Sequence, residues 1–183
     1  MLPITRSFRL PNIAPIGARP FVEGPTDPIA GMLECHDRIR QFLDGLGRLA
    51  ALDDLRDPRA PDAARACARY FREGLPLHGL DEDLSLAPRL RPTADAEVID
   101  ALDAMAAEHG LMDRGLPQLL ADLDAVGVGD PPAVEELRAG HLWLDRLLRA
   151  HIEMEERVIF PAAADLDAET LAMIAGEMRA RRR

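Results

Sequence analysis

The stretch LHGLDEDLSLAP (77–88) decides the fold, because its pattern returns 73 residues later as AHIEMEERVIFP (150–161). Both stretches place a histidine four residues before a glutamate, follow that glutamate with a second acidic residue, and end on a proline. Residues four apart lie on the same face of an α-helix, one turn from each other. Each stretch therefore predicts a helix that presents a histidine and a glutamate side by side.

The same offset relates the helices that precede these two stretches. In each half, an apolar stripe that contains one histidine recurs at helical spacing. Its positions are Ile29, Met32, His36, Ile39, Leu43 and Leu46, which return as Leu102, Met105, His109, Met112, Leu116 and Leu119. Each half is thus a helical hairpin whose two histidines are 42 residues apart, and antiparallel helices bring such residues back to one level. Two hairpins with short loops predict an all-α, antiparallel up-down four-helix bundle.

Prolines and apolar stripes divide the chain into three regions. Residues 1–26 carry five prolines without helical periodicity and predict an irregular N-terminal arm. Residues 27–165 hold the predicted bundle, with helices at about 28–52, 62–87, 94–126 and 131–160. Residues 166–183 predict a short fifth helix with a basic tail, whose positive charge suits a helix C-terminus.

Helix starts and interruptions follow from local chemistry. Asp27-Pro28 and Asp130-Pro131 each combine a capping side chain with proline at the first helical position, and Thr93 is the predicted cap of the third helix. Pro76 and Pro117 fall inside the second and third helices, where a proline removes one backbone donor and crowds the preceding turn. We expect a kink at Pro76.

Composition limits the classes of function. The chain has 183 residues, enough for one domain, and only 4% of them are aromatic, so its core depends on helix-forming aliphatic residues. A formal charge of −10 argues against nucleic acid as a partner. No apolar run approaches the roughly 20 residues of a membrane span, and Cys35 and Cys67 do not make a disulfide framework. These features favour a cytoplasmic protein without a membrane partner.

Six polar side chains lie inside the apolar stripes and carry the functional signal. They are His36, His78, Glu82, His109, His151 and Glu155. Buried at one level without partners, each would lose hydration at a cost of a few kcal/mol, whereas two metal ions would satisfy them together. A single histidine on such a stripe is more often a hydrogen-bonded core residue, and a metal-free helical interaction protein remains an alternative. His141, ten residues before His151, is interpreted as structural.

Other metal and nucleotide motifs are absent from the sequence. The ferritin-like di-iron bundles use Glu-x-x-His, and no glutamate precedes a histidine by three positions here. The chain also has no His-Glu-x-x-His, no Cys-x-x-Cys and no glycine-rich phosphate loop.

The sequence resembles the hemerythrin-like family, also called the HHE cation-binding domain, over roughly residues 27–165. The resemblance rests on LECHDRI (33–39), LHGLDEDLSLAP (77–88), AAEHGLMD (106–113) and HIEMEERVIFP (151–161). It implies one metal held by His36 and His78, a second held by His109 and His151, and Glu82 and Glu155 as bridges. It also implies two iron ions with an oxo or hydroxo bridge, although zinc and manganese suit the same ligand types.

One departure from the oxygen-carrying members concerns the third helix. Those proteins have a second histidine four residues after the third-helix histidine, and this chain has Asp113 there. Asp113 is a candidate metal ligand or a hydrogen-bond partner of His109. Asp81 is a weaker candidate for the same roles. Two octahedral ions offer about twelve positions, so this ligand set leaves about two open after a bridging oxygen.

Three functions stay open at this point. The first is reversible binding of O₂, NO or peroxide, or the sensing and handling of iron and redox state. The second is a di-iron oxidoreductase with peroxidase-, NO-reductase- or ferroxidase-like activity, which would require an electron-transfer partner. The third is the metal-free interaction protein. The residues alone do not decide whether the chain is an enzyme.

Overall fold

The computed structural model describes residues 27–183, and the predicted N-terminal arm (1–26) lies outside the described residues. Five helices make up this part of the chain, without a strand among the described residues. The first is α1 (Pro28–Ala50), the third is α3 (Ala96–Val128) and the fifth is α5 (Ala168–Ala180). The helices between them, α2 and α4, are each built from several consecutive stretches.

Both of these composite helices contain π-helical turns. Helix α2 runs through Ala60–Arg69, Tyr70–Gly74, Leu75–Asp81, Glu82–Leu86 and Ala87–Leu90, and α4 through Val134–Met154, Glu155–Ile159 and Phe160–Ala164. The three five-residue stretches, Tyr70–Gly74, Glu82–Leu86 and Glu155–Ile159, are π-helical.

Each π turn ends two residues before a proline, namely Pro76, Pro88 and Pro161. A proline ring crowds the carbonyl of the turn before it and offers no donor to that carbonyl. A widened turn absorbs one extra residue there without ending the helix. Where a kink was predicted at Pro76, the helix thus contains a π turn just before the proline. Helix α4 continues past Pro161 to Ala164, beyond its predicted end. Pro117 leaves α3 unbroken.

Two predicted helix starts were wrong. Asp95, not Thr93, caps α3, since its side chain accepts from the Val98 amide at 3.0 Å while the Thr93 hydroxyl donates back to the Leu90 carbonyl. Asp130 closes α3 instead of opening α4: its amide donates to the Ala125 carbonyl, next to a left-handed glycine. By contrast, Asp27 caps α1 and accepts from two backbone amides, as predicted.

The four long helices form a ring in which α1 and α3 each pack on both α2 and α4. This arrangement confirms the predicted all-α bundle. Related aromatic contacts recur across the repeat: Tyr70 of α2 stacks on Phe42 of α1 at 4.0 Å between ring centroids. Its counterpart Trp143 of α4 lies over Gly115 of α3, where even a Cβ atom would meet the indole ring.

Buried apolar residues form two clusters along the bundle axis. One cluster extends from Ile39 of α1 toward the loop that joins α1 to α2, and the other surrounds Met32 and includes Ile174 and Met178 of α5. The predicted polar residues lie in the layer between these clusters; His36, for example, is flanked by Met32 and Ile39. None of the helices of residues 27–183 is long and apolar enough to cross a membrane.

Helix α5 closes one end of the bundle over α1 and α2 through an ion-pair network. Asp81 of α2 is fully buried and pairs with Arg181 at 2.7 Å and with Arg182 at 2.5 Å. Close by, Ser85 and Arg89 of α2 both donate to Glu177 of α5. The basic end of the chain therefore neutralises a specific buried carboxylate, which is more than the helix-end role expected for it.

Replacing Asp81 by Asn should destabilise the protein by roughly 3 kcal/mol, because it removes a buried negative charge that the Arg181 and Arg182 side chains, 18% and 12% exposed, both contact. The matched control is Asp44→Asn, which breaks an ion pair with Arg149 whose two side chains are 56% and 46% exposed. That change should alter stability by less than about 1 kcal/mol. Urea unfolding followed by circular dichroism measures both, and equal effects would contradict the assigned role of Asp81.

Candidate metal centre

The polar layer between the two apolar clusters contains all six side chains singled out from the sequence. Helices α1 and α3 each contribute one histidine, and α2 and α4 each contribute a histidine and a glutamate. The six are His36, His78, Glu82, His109, His151 and Glu155. Five of them are at most 2% exposed, and only the His109 side chain, at 12%, reaches toward solvent.

The imidazoles gather in two pairs. His36 and His78 bring their Nε2 atoms to 3.1 Å of each other, with the rings edge to face. His109 and His151 have their ring centroids 5.0 Å apart. Each pair joins helices of one hairpin, as the 42-residue spacing predicts.

The two glutamates connect these pairs. Glu82 directs Oε1 toward His78 Nε2 at 3.1 Å and Oε2 toward His109 Nε2 at 3.3 Å. Glu155 repeats the arrangement in the opposite sense, with Oε1 2.8 Å from His151 Nε2 and Oε2 3.1 Å from His36 Nε2. Each carboxylate therefore directs one oxygen to the first histidine pair and the other oxygen to the second, as a bridging ligand must.

Both glutamates are the first residue of a π turn, Glu82–Leu86 and Glu155–Ile159. Up to that point the helix is regular, which keeps each glutamate one turn from its histidine and on the same face. Beyond the glutamate, the wider π turn shifts the rest of the helix out of the register that a regular α-helix would keep. Local π turns occur frequently at functional sites, and here the sequence places the proline responsible at the same distance after both glutamates.

Three of the four histidines are held from behind by a carboxylate on Nδ1. His36 contacts Glu156 at 2.8 Å, His109 contacts Asp83 at 2.9 Å and His151 contacts Glu108 at 2.7 Å. Because a carboxylate accepts, the Nδ1 atom donates, and Nε2 of the neutral ring is left with its lone pair facing the layer. This is the tautomer that a metal-binding histidine requires.

Burial and mutual contacts shift the pKa values of the layer strongly. Burial raises the pKa of Glu82 to about 7, with the nearby Glu155 charge adding to the effect. Burial also lowers the pKa of His78 to about 3. For His109, burial works in the lowering direction, but hydrogen bonds to Asp83 and Glu82 outweigh it and raise the pKa to about 10.

The pKa values of Glu155 and His151, both in the second hairpin, shift in opposite directions. For Glu155, burial favours a higher pKa, but hydrogen bonds from His151 and His36 outweigh it and hold the pKa below its usual range. The pKa of His151 is raised to about 9, because its bonds to Glu155 and Glu108 exceed the opposing effect of burial. Protons shared between imidazoles and carboxylates thus hold the layer together when no cation is there.

The hydrogen-bonding of the layer is nevertheless incomplete. All four carboxylate oxygens of Glu82 and Glu155 are buried without a hydrogen-bond partner of good geometry, and so is Nε2 of His151. Leaving such groups unpaired is costly in a protein interior. The converging atoms form two four-residue groups, each with its ligand atoms within 4.8 Å of one another. A pair of cations between imidazole and carboxylate ligands fits this set of donors.

The other candidate residues lie outside these two groups. Asp113 is exposed on α3 and is not brought to the layer, and Asp81 is engaged by Arg181 and Arg182. His141 packs against Gly47 far from the layer, in line with a structural role. Cys35 and Cys67 are both free thiols.

The sequence analysis missed the carboxylates behind the histidines. Asp83 and Glu156 directly follow the bridging glutamates and match across the repeat, so their signal was present but no role was given to them. Each contacts the histidine of the other hairpin, a pairing that only the packed bundle reveals. Glu108 has no acidic counterpart, since the equivalent position holds Cys35.

Comparison with known proteins adds one finding. The model of the hemerythrin HHE cation binding domain matches residues 27–174, which is most of the chain. No curated protein matches the sequence. The matched segment contains α1 to α4, the first half of α5 and every residue of the polar layer. The chain therefore belongs to the hemerythrin HHE cation-binding domain family.

Proposed function

We propose that this protein holds two iron ions in the polar layer and uses them to bind a small ligand such as O₂, NO or peroxide. The observation that carries the proposal is the convergence of two histidine pairs on two glutamates whose four buried oxygens lack hydrogen-bond partners of good geometry. A metal-free interaction protein would gain nothing from burying them. Family membership supports cation binding but leaves the metal and the ligand to be identified.

Iron is the metal that we favour. His36 and His78 would hold one ion, His109 and His151 the other, and the two glutamates would bridge them. Mixed imidazole and carboxylate ligation with open positions suits iron, although zinc and manganese accept the same donors. When bound, such a pair supplies exchangeable positions and redox chemistry. The protein residues around it exclude water and hold three of the four imidazoles in place through Nδ1.

The protein donors leave positions free. Four imidazole nitrogens and four carboxylate oxygens supply eight of the roughly twelve positions of two octahedral ions. Asp113 is exposed, so the proposal does not use it as a ninth ligand. A centre with this many free positions differs from a dedicated oxygen carrier and favours sensing, iron handling or redox defence.

Burial restricts what can reach the centre. Glu82, Glu155 and His36 are fully buried, and the centre comes closest to solvent at His109. Gly79 lies beside the His109 ring, where a side chain would otherwise stand. An approach past these two residues admits a diatomic molecule or peroxide more readily than an organic substrate.

An oxidoreductase is the second candidate, and the exposure of the centre at Asp83 and His109 favours it. Asp83 is 40% exposed and accepts from His109 Nδ1, so this edge of the layer lies near solvent. A turnover that consumes protons, such as peroxide or NO reduction, would draw them from this edge. It would also need an electron-transfer partner, which we propose only for this alternative.

Elemental analysis of protein purified without chelator or affinity tag should find about two iron ions per chain. After anaerobic reduction, O₂ should change the visible absorption, and removal of O₂ should reverse the change. His151→Gln should reduce the bound metal strongly, whereas His141→Gln, which alters a histidine outside the layer, should leave it unaltered. Absence of metal from the untreated protein would contradict the proposal, and irreversible bleaching would count against reversible binding.

Steady-state assays separate the binding module from the enzyme. If the protein is a binding module, peroxide, NO and Fe(II) should react in stoichiometric amounts only. Sustained turnover that disappears in Glu82→Ala would instead establish the oxidoreductase. Asp113→Ala is the matched control, because that acidic residue is exposed and outside the layer.

Metal binding should release at least about two protons per chain at pH 7, since Glu82, with a pKa of about 7, is also partly protonated there. In the metal-free protein the raised pKa values of His109, about 10, and His151, about 9, keep both rings protonated at that pH. An ion that binds Nε2 must displace these protons, so apparent affinity should rise with pH and level off as pH passes those values. Calorimetry in buffers of different ionisation enthalpy measures the release, and heats that do not depend on the buffer would refute it.

A further inference from the structure

The two metal positions have matching ligands but unequal surroundings. His151 donates through Nδ1 to Glu108 at 2.7 Å. Its repeat counterpart His78 is 2% exposed, and its Nδ1 atom has no hydrogen-bond partner. The position that corresponds to Glu108 in the first hairpin is Cys35, which carries no charge to match it. The two halves of the chain therefore differ behind this imidazole: Glu108 binds His151, and no side chain binds Nδ1 of His78.

Charge around the remaining histidines strengthens this difference. Glu156, behind His36, is also bound by Arg40 through both carboxylate oxygens at 2.7 and 2.8 Å. That guanidinium offsets the charge which the carboxylate would otherwise place behind the imidazole. Asp83 and Glu108, behind His109 and His151, form no ion pair with an arginine anywhere in residues 27–183.

A second carboxylate near the first histidine pair is also neutralised. Asp81, three residues after His78, is paired with both Arg181 and Arg182, so it does not supply the negative charge that Glu108 supplies behind His151. The first histidine pair is also the more deeply buried, since its two side chains are 0% and 3% exposed against 12% for His109. Burial disfavours a charged ion where compensating charge is weaker.

Resting on the proposed two-metal function, we propose that the position between His109 and His151 binds its ion more tightly and fills first once both of its imidazoles are neutral. Carboxylates behind both of its imidazoles make them better donors and add negative charge near the ion. The position between His36 and His78 fills second. Partly loaded protein then holds its metal at the end of the layer nearer to solvent.

Stepwise titration of the metal-free full-length protein with Co(II), in competition with a chromophoric chelator and at a pH where both imidazoles are neutral, tests the order. The two dissociation constants should differ by about 10-fold or more, since the loss of such a partner typically changes metal affinity by about 10- to 100-fold. Glu108→Gln keeps an acceptor for His151 but removes the charge, and it should weaken the tighter step selectively. Arg40→Gln should strengthen the weaker step, because Glu156 then acts on His36 with its full charge.

The matched control is Glu153→Gln, which removes one negative charge from an exposed position of the same helix as His151. It should leave both steps unchanged, and circular dichroism should show that all variants are folded. Two equal steps in the wild type, or a Glu108→Gln variant that weakens the second step, would overturn the proposed order while leaving the two-metal function intact. A wild type that binds no Co(II) would overturn both.

Discussion

Six ionisable groups are buried in one layer between two apolar clusters, and the rest of the structure depends on that constraint. Imidazoles and carboxylates removed from water need partners, and the layer gives them only part of what they need. Three of the four histidines are held at Nδ1, yet the carboxylate oxygens of Glu82 and Glu155 have no hydrogen-bond partner of good geometry. An arrangement selected for stability alone would place apolar side chains here, as the helices do immediately above and below. The polar layer is thus better explained by cation binding than by stability.

The backbone supports this layer by a device that occurs twice. A regular helix carries the histidine and the glutamate at a separation of one turn, and a π turn then begins at the glutamate itself. Pro88 and Pro161 follow at equal distances, and each removes one backbone donor and crowds the turn that precedes it. The turn that presents each bridging carboxylate is therefore specified by local chain chemistry, whereas the meeting of the two carboxylates depends on the packing of all four helices.

The apolar stripes and the 73-residue repeat were sufficient to predict the bundle and to select the six residues of the layer, because both signals are periodic. Features that depend on competition between neighbouring groups could not be predicted in the same way. Asp130 precedes a proline and looks like a helix cap, but Gly129 in the left-handed conformation uses its amide to end α3. The pairing of Asp83 with His109 crosses from one hairpin to the other. Asp113 shares a helix with His109, yet it faces solvent.

The near-symmetry of the chain makes its asymmetries informative. Two hairpins with the same ligands could form two equal metal positions, and the ligands themselves show no preference. The differences lie in the partners of the ligands. Glu108 is matched by Cys35, Arg40 binds Glu156, and α5 packs on α1 and α2. Partners of the ligands govern how strongly an imidazole donates and how much charge an ion meets. A bundle of this kind can therefore keep its ligands constant while its chemistry is adjusted by neighbours that no ligand motif contains.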